Sequence, residues 1–168
     1  TNTISVCAWI AYSVGGNGLP RIADKGMAFS LYTSGLTAPR AIGFYYANGG
    51  TESLKMIPAY EWHFVTDTFD GNNLKIYIDG VLDFSLSCPG IILNNNEQLC
   101  FGRNNTSDGY FMGAIDDVRI FNKVLTDPEI SAQQLAAHAQ GHDIPILASW
   151  MGGATVARGA ALLNRAGI

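Results

Sequence analysis

A polar stretch near residue 105 carries the side chains whose types best suit the binding of a ligand. The candidate residues are Arg103, Asn104, Asn105, Asp108 and Tyr110. An aromatic ring can stack on the face of a sugar, while amide and carboxylate groups bond to its hydroxyls. Binding residues concentrate on loops that a rigid scaffold positions. The stretch therefore predicts a recognition loop, although a long turn without a ligand is also compatible with these residues.

The acidic residues do not have the spacing of a hydrolytic enzyme. Retaining hydrolysis of a glycosidic bond needs two carboxylates that face each other across the sugar. The glutamates are scattered, and none has a carboxylate two or four places along a strand: Glu52, Glu61, Glu97 and Glu129. A serine nucleophile elbow is also missing, and no cysteine lies near a histidine in sequence. The sequence predicts a non-catalytic protein, with a glycosidase as the alternative if carboxylates meet only in space.

Charge and composition argue against two kinds of partner. The chain has 168 residues, a net charge of -4 and only 14% charged residues. It has no run of Lys or Arg, so the clustered cations that bind nucleic acid are missing. The longest uncharged apolar run, residues 144–157, is interrupted by Pro145 and by Gly152-Gly153, so no membrane span is predicted. The length suits one domain with a substantial core.

The three cysteines, Cys7, Cys88 and Cys100, do not have the spacing of a metal site. Their odd number leaves at least one thiol free. The sequence leaves open whether the other two form a disulfide. We therefore expect the fold to depend on its hydrophobic core rather than on a disulfide framework.

The elements that must position these side chains are short strands joined by tight turns. Residues 74–78 alternate between apolar and other side chains, which is the period of a strand with one face on a core. Asp70-Gly71 and Asp79-Gly80 separate consecutive runs of this kind and indicate hairpin turns, so a three-stranded meander is predicted. Four further strands are expected at Ile4–Ile10, Phe29–Tyr32, Ile42–Tyr46 and Ser53–Ile57. Short strands joined by turn residues are typical of a β-sandwich.

One short helix is predicted near the end of this pattern. Thr126 and Glu129 have the spacing of a capping box, and Pro128 occupies the first turn, where its missing donor is harmless. Ile130 and Leu135 are expected to form its apolar side. Gly141 is expected to end it.

Six short motifs occur in order along the chain. They are Trp62-His63-Phe64-Val65, Phe69-Asp70-Gly71, Leu74–Gly80, Leu99–Arg103, Phe111–Phe121 and Leu125–Ile130. Together they resemble the laminin G-like domain of the concanavalin A-like jelly-roll superfamily, over residues 4–135. One departure is that His63 follows Trp62 directly, whereas family members often place this histidine one position later. The resemblance implies an all-β, antiparallel, two-sheet jelly-roll β-sandwich with one short C-terminal helix.

The resemblance also implies a class of function. A laminin G-like sandwich is expected to be a non-catalytic module whose loops recognise a glycan or a cell surface. The second hypothesis is a structural module of a virion or surface assembly, such as a phage capsid decoration or a tail-fibre domain. In that case its partner would be another protein chain. Either function would place the protein outside the cell, on a cell surface or on a virion.

Asp116 is the charged residue that most needs an explanation. Strict alternation puts it on one face with Val118 and Ile120, and a carboxylate on an apolar face must be hydrogen-bonded or bound to a cation. One interpretation is that it accepts backbone amides where the sheets close. The other is a calcium ion, which related jelly rolls bind through Asp and Asn oxygens in loops. No other cofactor is expected.

The two ends of the chain are expected to belong together. Family members usually have one or two strands before the one that matches Ile4–Ile10, and here they are missing. A missing strand leaves an open sheet edge, which promotes association unless it is covered. We therefore divide the chain into a domain, residues 1–135, and an apolar, glycine-rich extension, residues 136–168. We expect residues 144–151 of the extension, or a strand from another chain or from an upstream segment, to cover this edge. Alternatively, the extension is a linker to a neighbouring domain, or it builds a homo-oligomer or larger assembly.

Overall fold

The computed structural model describes residues 2–15, 18–35, 37–47, 49–106, 108–138, 156–158 and 161–162. In this part of the chain two β-sheets pack on each other and one helix covers an outer face. The elements are β1 (Ile4–Tyr12), β2 (Arg21–Asp24), β3 (Phe29–Thr33), β4 (Ile42–Tyr46), β5 (Gly49–Glu52), β6 (His63–Phe69), β7 (Asn73–Ile78), β8 (Val81–Ser87), β9 (Cys100–Phe101), β10 (Gly113–Phe121), α1 (Asp127–His138), β11 (Val156–Arg158) and β12 (Ala161–Leu162).

The strand order confirms the predicted sandwich. The first sheet has the order β11-β10-β1-β6-β7-β8, and β12 also pairs with β10. The second sheet has the order β5-β4-β3-β2-β9. Pairing is antiparallel throughout, except that β11 and β12 run parallel to β10. The fold is the all-β jelly-roll with one short helix that the sequence predicted.

The core lies between the two sheets and is made by alternate positions along each strand. In β1 the core residues include Val6 and Ile10, and in β7 they include Leu74 and Ile76, all fully buried. Burying one such side chain contributes roughly 1.5–3 kcal/mol. The predicted meander is β6, β7 and β8, and its second turn, Asp79-Gly80, has φ angles of 54° and 78°. Positive φ at both central residues is what a tight hairpin requires.

Helix α1 covers the outward face of the first sheet. Ile130 is fully buried there in a cluster with Phe64, Tyr77 and Phe121. Leu135, in contrast, is 67% exposed, so its predicted place on the apolar side is wrong. Five residues turn a helix by about 140° beyond a full circle, which carries residue 135 away from the face that residue 130 buries. No helix of the described part is long and apolar enough to span a membrane.

The predicted capping pair at the start of α1 is present. The Glu129 carboxylate accepts hydrogen bonds from the Thr126 backbone amide at 2.9 Å and from its hydroxyl at 3.0 Å. Hydrogen bonds from Lys123 and from Thr126 lower the pKa of Glu129 to about 2. The helix is described as far as His138, so the predicted stop at Gly141 lies outside the described residues.

Two strand predictions need correction. Strand β2, Arg21–Asp24, was not predicted, because it has only four residues and its pairing with β3 is irregular. The fourth predicted strand, Ser53–Ile57, is displaced: the chain pairs with β4 over Gly49–Glu52, and Ile57 makes only an isolated bridge to Arg40. The hairpin partner of β4 therefore begins sooner than the turn residues suggested.

The cysteines do not crosslink the fold. Cys7, Cys88 and Cys100 are all free thiols. Burial raises the pKa of Cys7 to about 12, so this thiol is neutral at physiological pH. The fold therefore depends on its packed core, as expected.

Candidate functional site

The five predicted binding residues lie together in the loop that joins β9 to β10. Asn104 organises this loop: its side-chain oxygen accepts hydrogen bonds from the Thr106 amide at 3.1 Å and from the Asp108 amide at 2.8 Å. Its own backbone amide donates to the Asp108 carbonyl at 3.0 Å. Asn side chains commonly close turns in this way. The structure therefore gives Asn104 a positioning role within the loop.

Of the other predicted residues, two make hydrogen bonds that hold the loop in place, and two present their side chains at the surface. Arg103 donates from Nη1 to the Asn104 carbonyl at 2.9 Å, and the Asn105 amide donates to the Glu97 carboxylate. Asp108 is exposed, and Tyr110 is half-buried. The loop thus presents a carboxylate and part of an aromatic ring on a backbone that is fixed by its own side chains.

Gly109 fixes the loop against the start of β2. Its φ angle is +59°, and a Cβ atom there would lie 2.7 Å from the Leu19 carbonyl oxygen. Its carbonyl accepts a hydrogen bond from the Arg21 amide at 2.8 Å. Only glycine combines this backbone conformation with so close an approach.

Two neighbouring segments extend the surface around the loop. Lys25 donates from Nζ to the Glu97 carbonyl at 2.9 Å, and the Asp24 carboxylate accepts from the Gly26 amide at 3.1 Å. The turn after β2 is therefore joined to the segment before β9, and Glu97 joins that segment to Asn105. We name the surface formed by residues 24–27, 95–97, 103–106 and 108–110 the rim site.

A cluster of aromatic and charged side chains lies beside the rim site, on the outward face of the second sheet. The guanidinium carbon of Arg21 is 5.3 Å from the ring centre of Tyr32 and 5.1 Å from that of Tyr45, both within cation–π range. Tyr32 donates to the Glu52 carboxylate at 3.4 Å. The Tyr45 hydroxyl donates to the Gly26 carbonyl at 3.5 Å, which connects this cluster to the rim site. We name these four side chains, of Arg21, Tyr32, Tyr45 and Glu52, the tyrosine–arginine cluster.

Sequence reasoning missed this cluster, because its residues are spread over four strands. The alternation of β3 and β4 was the only available signal, since core residues at 29, 31 and 44 leave positions 32 and 45 on the opposite face. Burial raises the pKa of Tyr32 to about 12, with a further contribution from the charge of Glu52, and burial also raises the pKa of Tyr45. Both phenols therefore keep their protons at neutral pH and act as hydrogen-bond donors.

Asp116 does not lie on the face that strict alternation predicts. Asp117 has a φ angle of 51°, and the pairing of β10 with β1 shifts register at this point. This β-bulge places Asp116 opposite Trp9, which packs on the outer side of the sheet, and separates it from Val118 and Ile120. Asp116 is nevertheless only 4% exposed, and its Oδ1 accepts the Asp117 amide at 2.8 Å. This hydrogen bond is of the kind that the structural interpretation expected.

The described residues contain no group of three or more His, Cys, Asp or Glu side chains that could hold a metal ion. Asp117, the nearest carboxylate in sequence, accepts from Arg119 Nε at 2.9 Å. Calcium usually takes six to eight oxygen ligands. A calcium ion at Asp116 stays an untested prediction, and no step below depends on it.

A protein-family comparison decides the affiliation of the chain. The model of a laminin G-like family in the concanavalin A-like lectin/glucanase superfamily matches residues 1–131. The chain belongs to this family. The resemblance inferred from the six motifs is thereby confirmed, and the laminin G-like domain occupies most of the sequence. No curated protein is a significant match to this chain.

Several solved structures share this fold. A candidate carbohydrate-binding protein from Bacteroides ovatus has a TM-score of 0.67 at 14% identity, covering 77% of this chain and 40% of its own. Domain 4 of the extracellular arabinanase AbnA from Geobacillus stearothermophilus, in complex with arabinotriose, has a TM-score of 0.63 at 21% identity, covering 79% and 66%. The CBM40 domain of the Ruminococcus gnavus IT-sialidase, bound to α2,3 sialyllactose, has a TM-score of 0.60 at 15% identity, covering 78% and 82%.

These likenesses establish the jelly-roll fold, because all the identities are low. The chain spans only 40% of the Bacteroides protein and 66% of the arabinanase structure. Several of the neighbours are carbohydrate-binding domains, and two are seen with an oligosaccharide. These solved structures share the fold of this chain, and the ligands of two of them suggest a class of function to test.

Proposed function

We propose that this laminin G-like domain is a non-catalytic module that binds a glycan through the rim site. The observation that supports the proposal is the loop of residues 103–106 and 108–110, in which Asn104 fixes the backbone and Asp108 remains exposed. A loop that is already ordered loses little conformational entropy on binding. The oligosaccharide complexes of two neighbours favour a glycan over other ligands.

Each exposed group of the loop has a role in this proposal. The Asp108 carboxylate accepts hydrogen bonds from sugar hydroxyls, and the half-buried ring of Tyr110 provides an apolar surface for a sugar face. Arg103 and Asn105 hold the loop in place through their bonds to Asn104 and Glu97. The neighbour described as an extracellular arabinanase favours a role outside the cell.

Asp108→Asn tests the proposal directly. The wild-type chain is first placed on a glycan array to find a ligand, and its affinity is then measured by titration calorimetry. A hydrogen bond to a charged group contributes about 1.5–3 kcal/mol, so we expect the variant to lose roughly 10- to 100-fold in affinity. Glu61→Gln, a change at another exposed carboxylate, is the control and is expected to bind like the wild type.

The result that would contradict the proposal is equally specific. If no glycan is bound, or if Asp108→Asn and Glu61→Gln bind equally well, the rim site is not a glycan site. Purified protein that hydrolyses its ligand would show that the domain is an enzyme instead.

A structural role in a virion or surface assembly is the second candidate. The observation that favours it is strand β8, which forms one edge of the first sheet and has two exposed apolar side chains, Val81 and Leu82, at 69% and 45% exposure. An exposed sheet edge with apolar residues is suited to contacts with another chain. Leu82→Lys is expected to abolish any self-association of the wild type in light scattering, and an unchanged association would exclude β8 as the contact.

A further inference from the structure

The outer edge of β10 is paired with two short strands from the C-terminal extension, whereas the predicted covering segment, residues 144–151, lies outside the described residues. In β11, Val156 lies opposite Ala114 and Arg158 opposite Asp116, and in β12, Leu162 lies opposite Ile120. Both strands run parallel to β10 with one constant offset of 42 positions, from 114 to 156 and from 120 to 162. The two pieces therefore follow β10 in a single register along most of its length.

The sequence of the extension fits an irregularity in β10. Strand β11 ends opposite Asp116, and β12 begins opposite Arg119, so the interruption coincides with Asp117, the bulged residue with positive φ. The extension has Gly159 and Ala160 at the corresponding positions in sequence. Small residues, and glycine above all, are the usual residues where a strand faces a bulge or a close backbone approach.

The path of the chain explains why the pairing is parallel. Parallel neighbours need a crossover of a dozen or more residues, usually with a helix. Here the chain leaves β10 at Phe121, forms α1 on the outer face of the same sheet, and returns to β10 at Val156. The order β10-α1-β11 is thus a βαβ arrangement added to an otherwise antiparallel sandwich.

We propose that the outer edge of β10 is a strand-acceptor site and that residues 156–158 and 161–162 of the same chain are the strands it accepts. The extension then closes this edge of the sandwich. An uncovered edge strand is a template for pairing with other chains, so closure in cis keeps the domain from associating through β10. Tethering favours the chain's own strand over a strand from a separate molecule, because covalent linkage raises the effective concentration of the strand at the edge. This inference does not depend on the proposed glycan site.

Ala157→Pro in the full-length chain tests the assignment. Ala157 pairs with Ile115, and proline cannot donate a hydrogen bond to the ladder. Hydrogen–deuterium exchange is measured for peptides of β10, with peptides of β6 as the internal check that the core remains folded. We expect exchange in β10 to be at least tenfold faster in the variant. Ala166→Pro, four positions after the last paired residue, is the matched control and is expected to leave β10 protected.

A synthetic peptide of residues 154–164 provides the second measurement. It is expected to bind the Ala157→Pro chain with one-to-one stoichiometry, and to bind the wild type at least tenfold more weakly because the edge is already occupied. The assignment is overturned if β10 exchanges equally in all three proteins and the peptide binds none of them. It is also overturned if the wild type is a dimer that Ala157→Pro converts to a monomer, because the strand would then come from a second copy.

Discussion

Asp67 is a carboxyl group in the middle of the apolar core. It lies on β6 opposite Val6 on one side and Ile76 on the other, and all three residues are fully buried. Neither of its oxygens has a hydrogen-bond partner within the described part of the chain. Burial therefore raises the pKa of Asp67 well above its ordinary value.

This burial makes stability depend on pH in a defined direction. The unfolded chain titrates Asp67 near its ordinary pKa of 3.8, whereas the folded chain holds the proton to higher pH. The contribution of Asp67 to folding stability is fully present below its ordinary pKa of 3.8 and is lost as the pH rises through the folded-state pKa. The loss is about 1.4 kcal/mol for each pH unit in this window.

Asp67→Asn removes this titration while keeping the size of the side chain. We expect the variant to be more stable than the wild type at pH 7 by at least about 1 kcal/mol, and the difference to shrink as the pH falls to 4. Urea unfolding at a series of pH values measures it. Glu61→Gln, at an exposed carboxylate, should differ from the wild type in free energy of unfolding by the same amount at every pH. A destabilised Asp67→Asn at pH 7 would mean that the carboxylate is ionised and paired.

At the scale of the elements, the tyrosine–arginine cluster requires one particular contact between β3 and β4. Gly43 lies opposite Tyr32, and a Cβ atom on it would lie 2.2 Å from the Tyr32 ring. The ring therefore lies directly over the glycine, where Arg21 can pack on it. Any side chain at position 43 would displace the ring.

Gly43→Ala should consequently lower the free energy of unfolding by about 1–3 kcal/mol, the usual cost of overpacking. Gly49→Ala in the adjacent strand β5 is the control, because the nearest atom to a Cβ there is 3.9 Å away. Urea unfolding should show that Gly49→Ala changes stability by less than about 0.5 kcal/mol. Adding Tyr32→Ala to Gly43→Ala should make the two changes non-additive, and simple additivity would argue against the contact.

The elements also show what the sequence could and could not predict. Regular alternation and turn residues predicted β1, β4 and the meander, since each is long enough to show its period. Strand β2 is too short for a period, and the bulge at Asp117 inverts faces without a signal in the alternation. The loop of residues 103–110 was predicted because polar residues cluster in sequence. The tyrosine–arginine cluster was not, because strand pairing alone brings its members together.

At the scale of the whole molecule, the sandwich has three distinct surfaces. The outward face of the first sheet is covered by α1, and the outer edge of β10 is paired with the extension. The rim site and the adjoining tyrosine–arginine cluster lie together at the second sheet, on loops and strands braced by their own hydrogen bonds. The proposed glycan site therefore involves a different surface from the outward face of the first sheet that α1 covers.

The most direct test of the proposed site is to map where a bound glycan perturbs the protein. Backbone amide chemical shifts are followed by nuclear magnetic resonance while the oligosaccharide selected on the glycan array is added. We predict the largest shifts at residues 24–27, 95–97, 103–106 and 108–110, with little change in α1 and β8. Shifts confined to another surface, or no shifts with any array-positive glycan, would contradict the assignment of the rim site.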